Sequence, residues 1–158
     1  MTAAATPAAQ PAAQPAAGQQ TRQDAMRALL AGIAEDLQAY TTLTVLLEQQ
    51  FDAAVRHQGP RLAEVADQIS TLVDQANARR LQRVALAQRL NGPEATMAQA
   101  FALLKDAARE KIQADWQTLE GMVLECKRLS KRNADLLVEQ HSIMQRVLHG
   151  EEHIYAPI

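Results

Sequence analysis

The chain has 158 residues, 47% hydrophobic and 22% charged, with a formal net charge of -2. That suits one domain with an apolar core, and the lack of a basic excess argues against a nucleic-acid partner. Aromatic residues make up only 3% and there are six glycines, so a composition rich in Ala, Leu, Gln, Arg and Glu favours helices over sheet.

Residues 1–20 repeat Ala, Pro and Gln. Pro7, Pro11 and Pro15 interrupt any apolar helix, and the start is not basic, so a signal peptide is not expected. The segment reads as a disordered arm. Thr21 or Asp24 is placed to cap a first helix over about 24–56. Its inner line is Met26, Leu30, Ile33, Leu37, Tyr40, Thr44, Leu47, Phe51 and Ala54. Steps of four and three, sustained over about four heptads, are the coiled-coil pattern. Leu29, Leu43, Leu46 and Val55 widen the stripe as a bundle requires.

His57-Gln58-Gly59-Pro60 breaks the pattern. Gly59 is the expected stop and Pro60 the first residue of the next helix. So short a link predicts an antiparallel neighbour. The second helix, about 60–90, carries Leu62, Val65, Ile69, Leu72, Val73, Ala76, Val84, Leu86 and Leu90. Its stripe weakens at Arg79, Arg80 and Arg83, which read as a solvated face with Arg stems over apolar surface, or as a partner patch. Asn91-Gly92-Pro93 ends it. A short helix over about 94–105 carries Met97, Phe101 and Leu104, and either joins the next helix or kinks near Ala107.

The last helix, about 107–149, is the longest. It carries Ile112, Trp116, Leu119, Met122, Val123, Cys126, Leu129, Leu136, Leu137, Ile143, Met144, Val147 and Leu148. Asn133 and Gln140 fall on its inner line, where polar residues set register or mark departure from the bundle. Trp116 and Leu119 are expected in the core. Gly150 is the expected stop, with 150–158 as a tail. A last helix longer than its neighbours predicts an overhang, and an exposed apolar stripe is a docking site or an aggregation hazard. The fold expected is all-α: an elongated antiparallel helical bundle or coiled coil of three long helices plus one short one.

No catalytic constellation emerges. There is no Glu-x-x-His pair on two helices, no Gly-rich phosphate loop and no metal-ligand spacing. His57, His141, His149 and His153 read as surface residues. Cys126, the only cysteine, lies on the apolar line as a small hydrophobe; a lone cysteine excludes an internal disulfide and fits a reducing compartment. Lys127, Arg128, Lys131 and Arg132 form a basic patch that reads as a solvated face, or as one that steers an acidic partner. No run reaches the ~18 apolar residues of a membrane span, so no membrane insertion is expected. From periodicity alone the chain is a non-enzymatic helical bundle that binds a partner, or a structural coiled-coil scaffold that associates with itself.

The C-terminal third narrows this. Asp115-Trp116-Gln117-Thr118-Leu119, the run from Leu129 to Gln140, and Ile154-Tyr155 resemble the FlgN family of flagellar type III export chaperones. The order of two long helices, a short one and a long last one is similar too, over roughly residues 24–156. The family's usual Asn-Gly reads Asn133-Ala134, and Ala156-Pro157-Ile158 replaces the glycine-containing segment that often follows the tyrosine. The resemblance implies a cytoplasmic chaperone, needing no cofactor, that binds hook–filament junction proteins and delivers them to the export gate. It implies that Leu129, Asn133, Leu136, Leu137, Gln140, Ile143, Met144 and Val147 hold the client. Tyr155 would touch the cytoplasmic domain of the gate.

Overall fold

The computed structural model describes residues 17–155, with side chains over 21–150. Four helices follow in order: α1 (Ala17–Val55), α2 (Gly59–Asn91), α3 (Met97–Phe101) and α4 (Asp106–Tyr155). No strand occurs among the described residues, and the chain is the all-α bundle expected. The arm expected over 1–20 lies outside the described residues as far as Ala16. Its last four residues belong to α1, so neither Thr21 nor Asp24 caps that helix.

Helix α1 is the spine. Both α2 and α4 pack along it, while the backbones of α2 and α4 scarcely approach each other. Three core layers follow from the heptads. The first joins Ala25 and Leu29 of α1 to Leu86, Leu90 and Ala100. The second joins Ile33 to Phe101, Ile112 and Leu119, with Trp116 partly buried against it. The third joins Leu43 and Leu47 to Cys126 and Leu129, with Ile69 and Leu72 alongside. Each fully buried Leu or Ile contributes roughly 1.5–3 kcal/mol relative to exposure. Residue numbers fall along α2 as they rise along α1, so this pair is antiparallel. They rise together along α1 and α4, from Thr44 beside Cys126 to Ala54 beside Gln140, so that pair is parallel.

The turns depart from expectation. The left-handed residue between α1 and α2 is His57, φ 55°, not Gly59. Gln58 N donates to Ala53 O at 2.9 Å and His57 N to Ala54 O at 3.2 Å, the paired bonds of a Schellman stop. Gly59 begins α2 instead, with Pro60 in its first turn. Gly92, φ 95°, ends α2. Helix α3 is shorter than the expected 94–105 and opens on a capping box: Thr96 Oγ1 accepts from Gln99 N, and Gln99 Oε1 accepts from Thr96 N. It is separate from α4. Helix α4 runs through Gly150 to Tyr155 rather than stopping; a glycine in a helix interior costs only about 1 kcal/mol relative to Ala.

Candidate functional site

Helix α4 has 50 residues against 39 in α1 and 33 in α2. Its excess falls at the C-terminal end. Gln140 Nε2 donates to Ala54 O at 2.9 Å, one residue before α1 ends. Every residue over 141–150 is exposed. At 1.5 Å per residue, the fifteen positions from His141 to Tyr155 extend roughly 22 Å past that contact. On this free end Ile143, Met144, Val147 and Leu148 are 46–57% exposed.

The eight residues expected on the client surface therefore divide. Ile143, Met144 and Val147 are open to solvent, and Leu136 and Leu137 are half-buried. Leu136 lines a shallow cleft with Phe51, Arg132 and Glu139. Leu129 is 1% exposed, in the third core layer. Asn133 is buried and faces α1, where its Nδ2 donates to Leu47 O at 2.7 Å and to Gln50 Oε1 at 2.8 Å. Its Oδ1 accepts from the neighbouring Arg132. Gln140 donates to a carbonyl in the last turn of α1, Ala54 O, which also accepts from His57 N in the turn. Leu129, Asn133 and Gln140 thus fasten α4 to α1, and in this structure they present little to a client. Tyr155 is the last residue of α4, not part of a tail.

The middle of the bundle holds a charged cluster that the sequence reading missed. Asp36 is 1% exposed. Its carboxylate accepts from Arg79 Nε at 2.5 Å and from Arg83 Nη1 at 2.6 Å. Both arginines are 15% exposed, so two of the three expected on a solvated face are inside. Arg79 Nη2 is buried without a hydrogen-bond partner. The signal was present: Leu29, Ile33, Asp36, Tyr40, Leu43 and Leu47 step by four and three, which puts a carboxylate on the inner line opposite arginines spaced i, i+4. Arg83 also lies 5.2 Å over the Trp116 ring, which meets Phe101 edge-on at 6.0 Å. Trp116 is thus half-buried, not the full core residue expected, while Leu119 is 3% exposed. Burial, with the Asp36 charge adding, pushes the Tyr40 phenol above its ordinary pKa.

The basic patch on α4 is largely answered. Arg128 pairs with Glu125, Lys131 with Asp135, and Arg132 with Glu48. Arg132 also stacks over Phe51 at 4.0 Å. Cys126 is buried with Sγ 3.4 Å from Thr44 Oγ1. Burial pushes its thiol pKa up, which makes it a weak nucleophile.

Between α2 and α4 an open groove of about 510 Å³ lies over α1, lined by Tyr40, Leu43, Val73, Ala76, Trp116, Val123 and Leu124 among others. It adjoins a smaller hollow reaching Ile69, Lys127 and Ser130. Val73, expected on the inner stripe of α2, is 47% exposed here, and Leu124, on no stripe, is 65% exposed. Among the described residues no three His, Cys, Asp or Glu converge as metal ligands. No described helix is long and apolar enough to cross a membrane.

A family model described as FlgN protein matches residues 26–149. No curated protein and no solved structure matches the chain.

Proposed function

The chain belongs to the FlgN family, and from that premise we propose that it is a cytoplasmic export chaperone for hook–filament junction proteins. The family is one of flagellar export chaperones. The observation that most supports the finer reading is the free end of α4. Four large apolar side chains there are about half exposed and face no other helix. A client helix laid along them would bury apolar surface on both partners, the helix-in-groove mode with anchors at i, i+3, i+4 and i+7. Ile143 and Val147, and Met144 and Leu148, pair at i, i+4 and Met144 and Val147 at i, i+3, so the four share one side of the helix, with Leu136 and Leu137 leading into it. Met144 can adapt to an imperfect fit. Cover of this kind keeps a client's amphipathic helix from aggregating until export.

In this reading Tyr155, at the tip of the same helix, touches the cytoplasmic domain of the export gate. Holding and handing over would then sit on one element, at adjacent positions. Nothing in the proposed role calls for catalysis.

The test pairs two lesions. Ile143→Asp with Val147→Asp places two charges on the stripe without entering the core. Titration calorimetry against the C-terminal segment of a hook–filament junction protein should show binding weakened at least about a hundredfold, or about 2.8 kcal/mol. The helical signal should be unchanged. Tyr155→Ala should bind client normally and impair motility. Wild-type client affinity in the Ile143/Val147 variant would remove the client site from this end of α4. Normal swimming by Tyr155→Ala would remove the gate contact. Oligomers formed by the pure protein, with no client complex, would favour a scaffold instead.

A further inference from the structure

We infer that the groove between α2 and α4 is a second seat for the same client, and that it takes an amphipathic helix that carries carboxylates. The inference rests on the client-holding reading above. In a square four-helix bundle each helix packs on two neighbours and not on the diagonal one. Here α2 and α4 both pack on α1 and scarcely meet. They therefore occupy opposite corners, with α1 at the third. The fourth corner is vacant, and the groove is that vacancy.

Its dimensions and chemistry suit a helix. Tyr40 and Leu43 form the floor, Val73 one wall, and Val123 and Leu124 the other. From Trp116 to Ser130 along α4 the groove runs roughly 21 Å, about four helical turns. Continuity with the free end follows from the heptad. Trp116, Val123 and Ser130 line the groove, and the next steps of seven reach Leu137 and Met144. One line of α4 thus leads from the overhang into the vacant corner.

The charge of that helix is set by both walls. Arg83 is held by Asp36. Arg80 donates only to Asn77 of its own helix. Neither Arg80 nor Lys127 has a carboxylate within ion-pair distance among the described residues, while Glu120 carries the one opposing charge on the lining. In a chain of net charge -2, the groove carries a local positive excess, which complements acidic side chains on the incoming helix.

Trp116 is the only tryptophan and lines the groove, so its emission reports occupancy. The full chain is titrated with a tryptophan-free C-terminal segment of a hook–filament junction protein. Binding should shift Trp116 emission to shorter wavelength. Val73→Glu with Leu124→Glu should weaken binding at least about tenfold while the helical signal holds, because both side chains are exposed at 47% and 65%. Lys127→Glu should weaken it less and reduce its salt dependence. Wild-type affinity in the Val73/Leu124 variant, with silent Trp116 emission, would overturn the groove and leave the overhang reading standing. An emission shift driven by protein concentration alone, with doubled mass, would assign the groove to a second copy and overturn the inference. No binding by the unaltered chain would overturn both readings.

Discussion

The two ends of α4 carry one apolar repeat and meet opposite fates. In the first stretch Ile112, Leu119, Cys126 and Leu129 are 1–7% exposed. In the second, Ile143, Met144, Val147 and Leu148 are 46–57% exposed. Residue type and spacing do not distinguish them. The neighbour does: α1 ends at Val55, and Gln140 already binds the carbonyl of Ala54. Periodicity specifies which side of a helix is apolar, and the length of the partner helix decides how much of that side is covered. An interaction surface can thus be built by continuing a core pattern past the end of the core.

The sharpest way to test the buried half is to break its charge cluster. Asp36→Ala leaves Arg79 and Arg83 without their acceptor, and should cost about 3–5 kcal/mol in urea unfolding. Replacing all three together, Asp36→Leu with Arg79→Met and Arg83→Met, should recover most of that loss, since a buried ion pair is rarely better than well-packed apolar groups. If the single variant unfolds like the wild type, the arginines reach water in solution and the cluster is not buried.

Next comes the contrast itself. Leu129→Ala should cost about 2–5 kcal/mol through lost burial and a cavity. Met144→Ala should change stability by less than about 0.5 kcal/mol, as an exposed site does. Comparable losses at both would mean that the end of α4 is covered in solution. A smaller effect tests the seam between the halves. Asn133→Ala removes the two bonds to Leu47 O and Gln50, and should cost about 1–3 kcal/mol. Asn133→Ala should leave client binding near wild type if the residue only fastens α4 to α1; a large loss of binding at full stability would return it to the client surface.

Much of the architecture was legible in the sequence, because heptads report buried faces and Gly-Pro pairs report turns. Of the inner line expected on α1, Ile33, Leu47 and Ala54 are buried and the rest half-buried, because the most buried line is shifted and runs through Ala25, Leu29, Ile33, Asp36, Leu43 and Leu47. What escaped has physical reasons. Asp36 sits on that line, but a carboxylate there reads as an interruption unless its arginines are sought on another helix. Asn133 and Gln140 were legible as seam residues, yet only the parallel pairing of α1 and α4 assigns their partners on α1. The groove escaped because it is made by two helices failing to meet, which no single stripe records. The helix through Gly150 escaped because a local stop signal is weak against a long propagating helix.

A small effect of opposite sign is expected at the turn where the bundle ends and α4 continues alone. His57 holds φ 55° to close the Schellman stop of α1. A non-glycine residue in the left-handed region is strained by about 1–2 kcal/mol. Glycine relieves that strain but loses more chain entropy on folding, about 0.5–1 kcal/mol. His57→Gly should therefore stabilise the protein by about 0.5–1 kcal/mol, read from the urea midpoint at unchanged slope. Client affinity should not move, because among the described residues no hydrogen bond or ion pair joins the turn to the free end. A destabilised His57→Gly variant would mean that the imidazole makes contacts worth more than the strain. A stabilised variant with altered client binding would mean that the turn and the overhang communicate, and that the free end of α4 is not independent of the bundle it leaves.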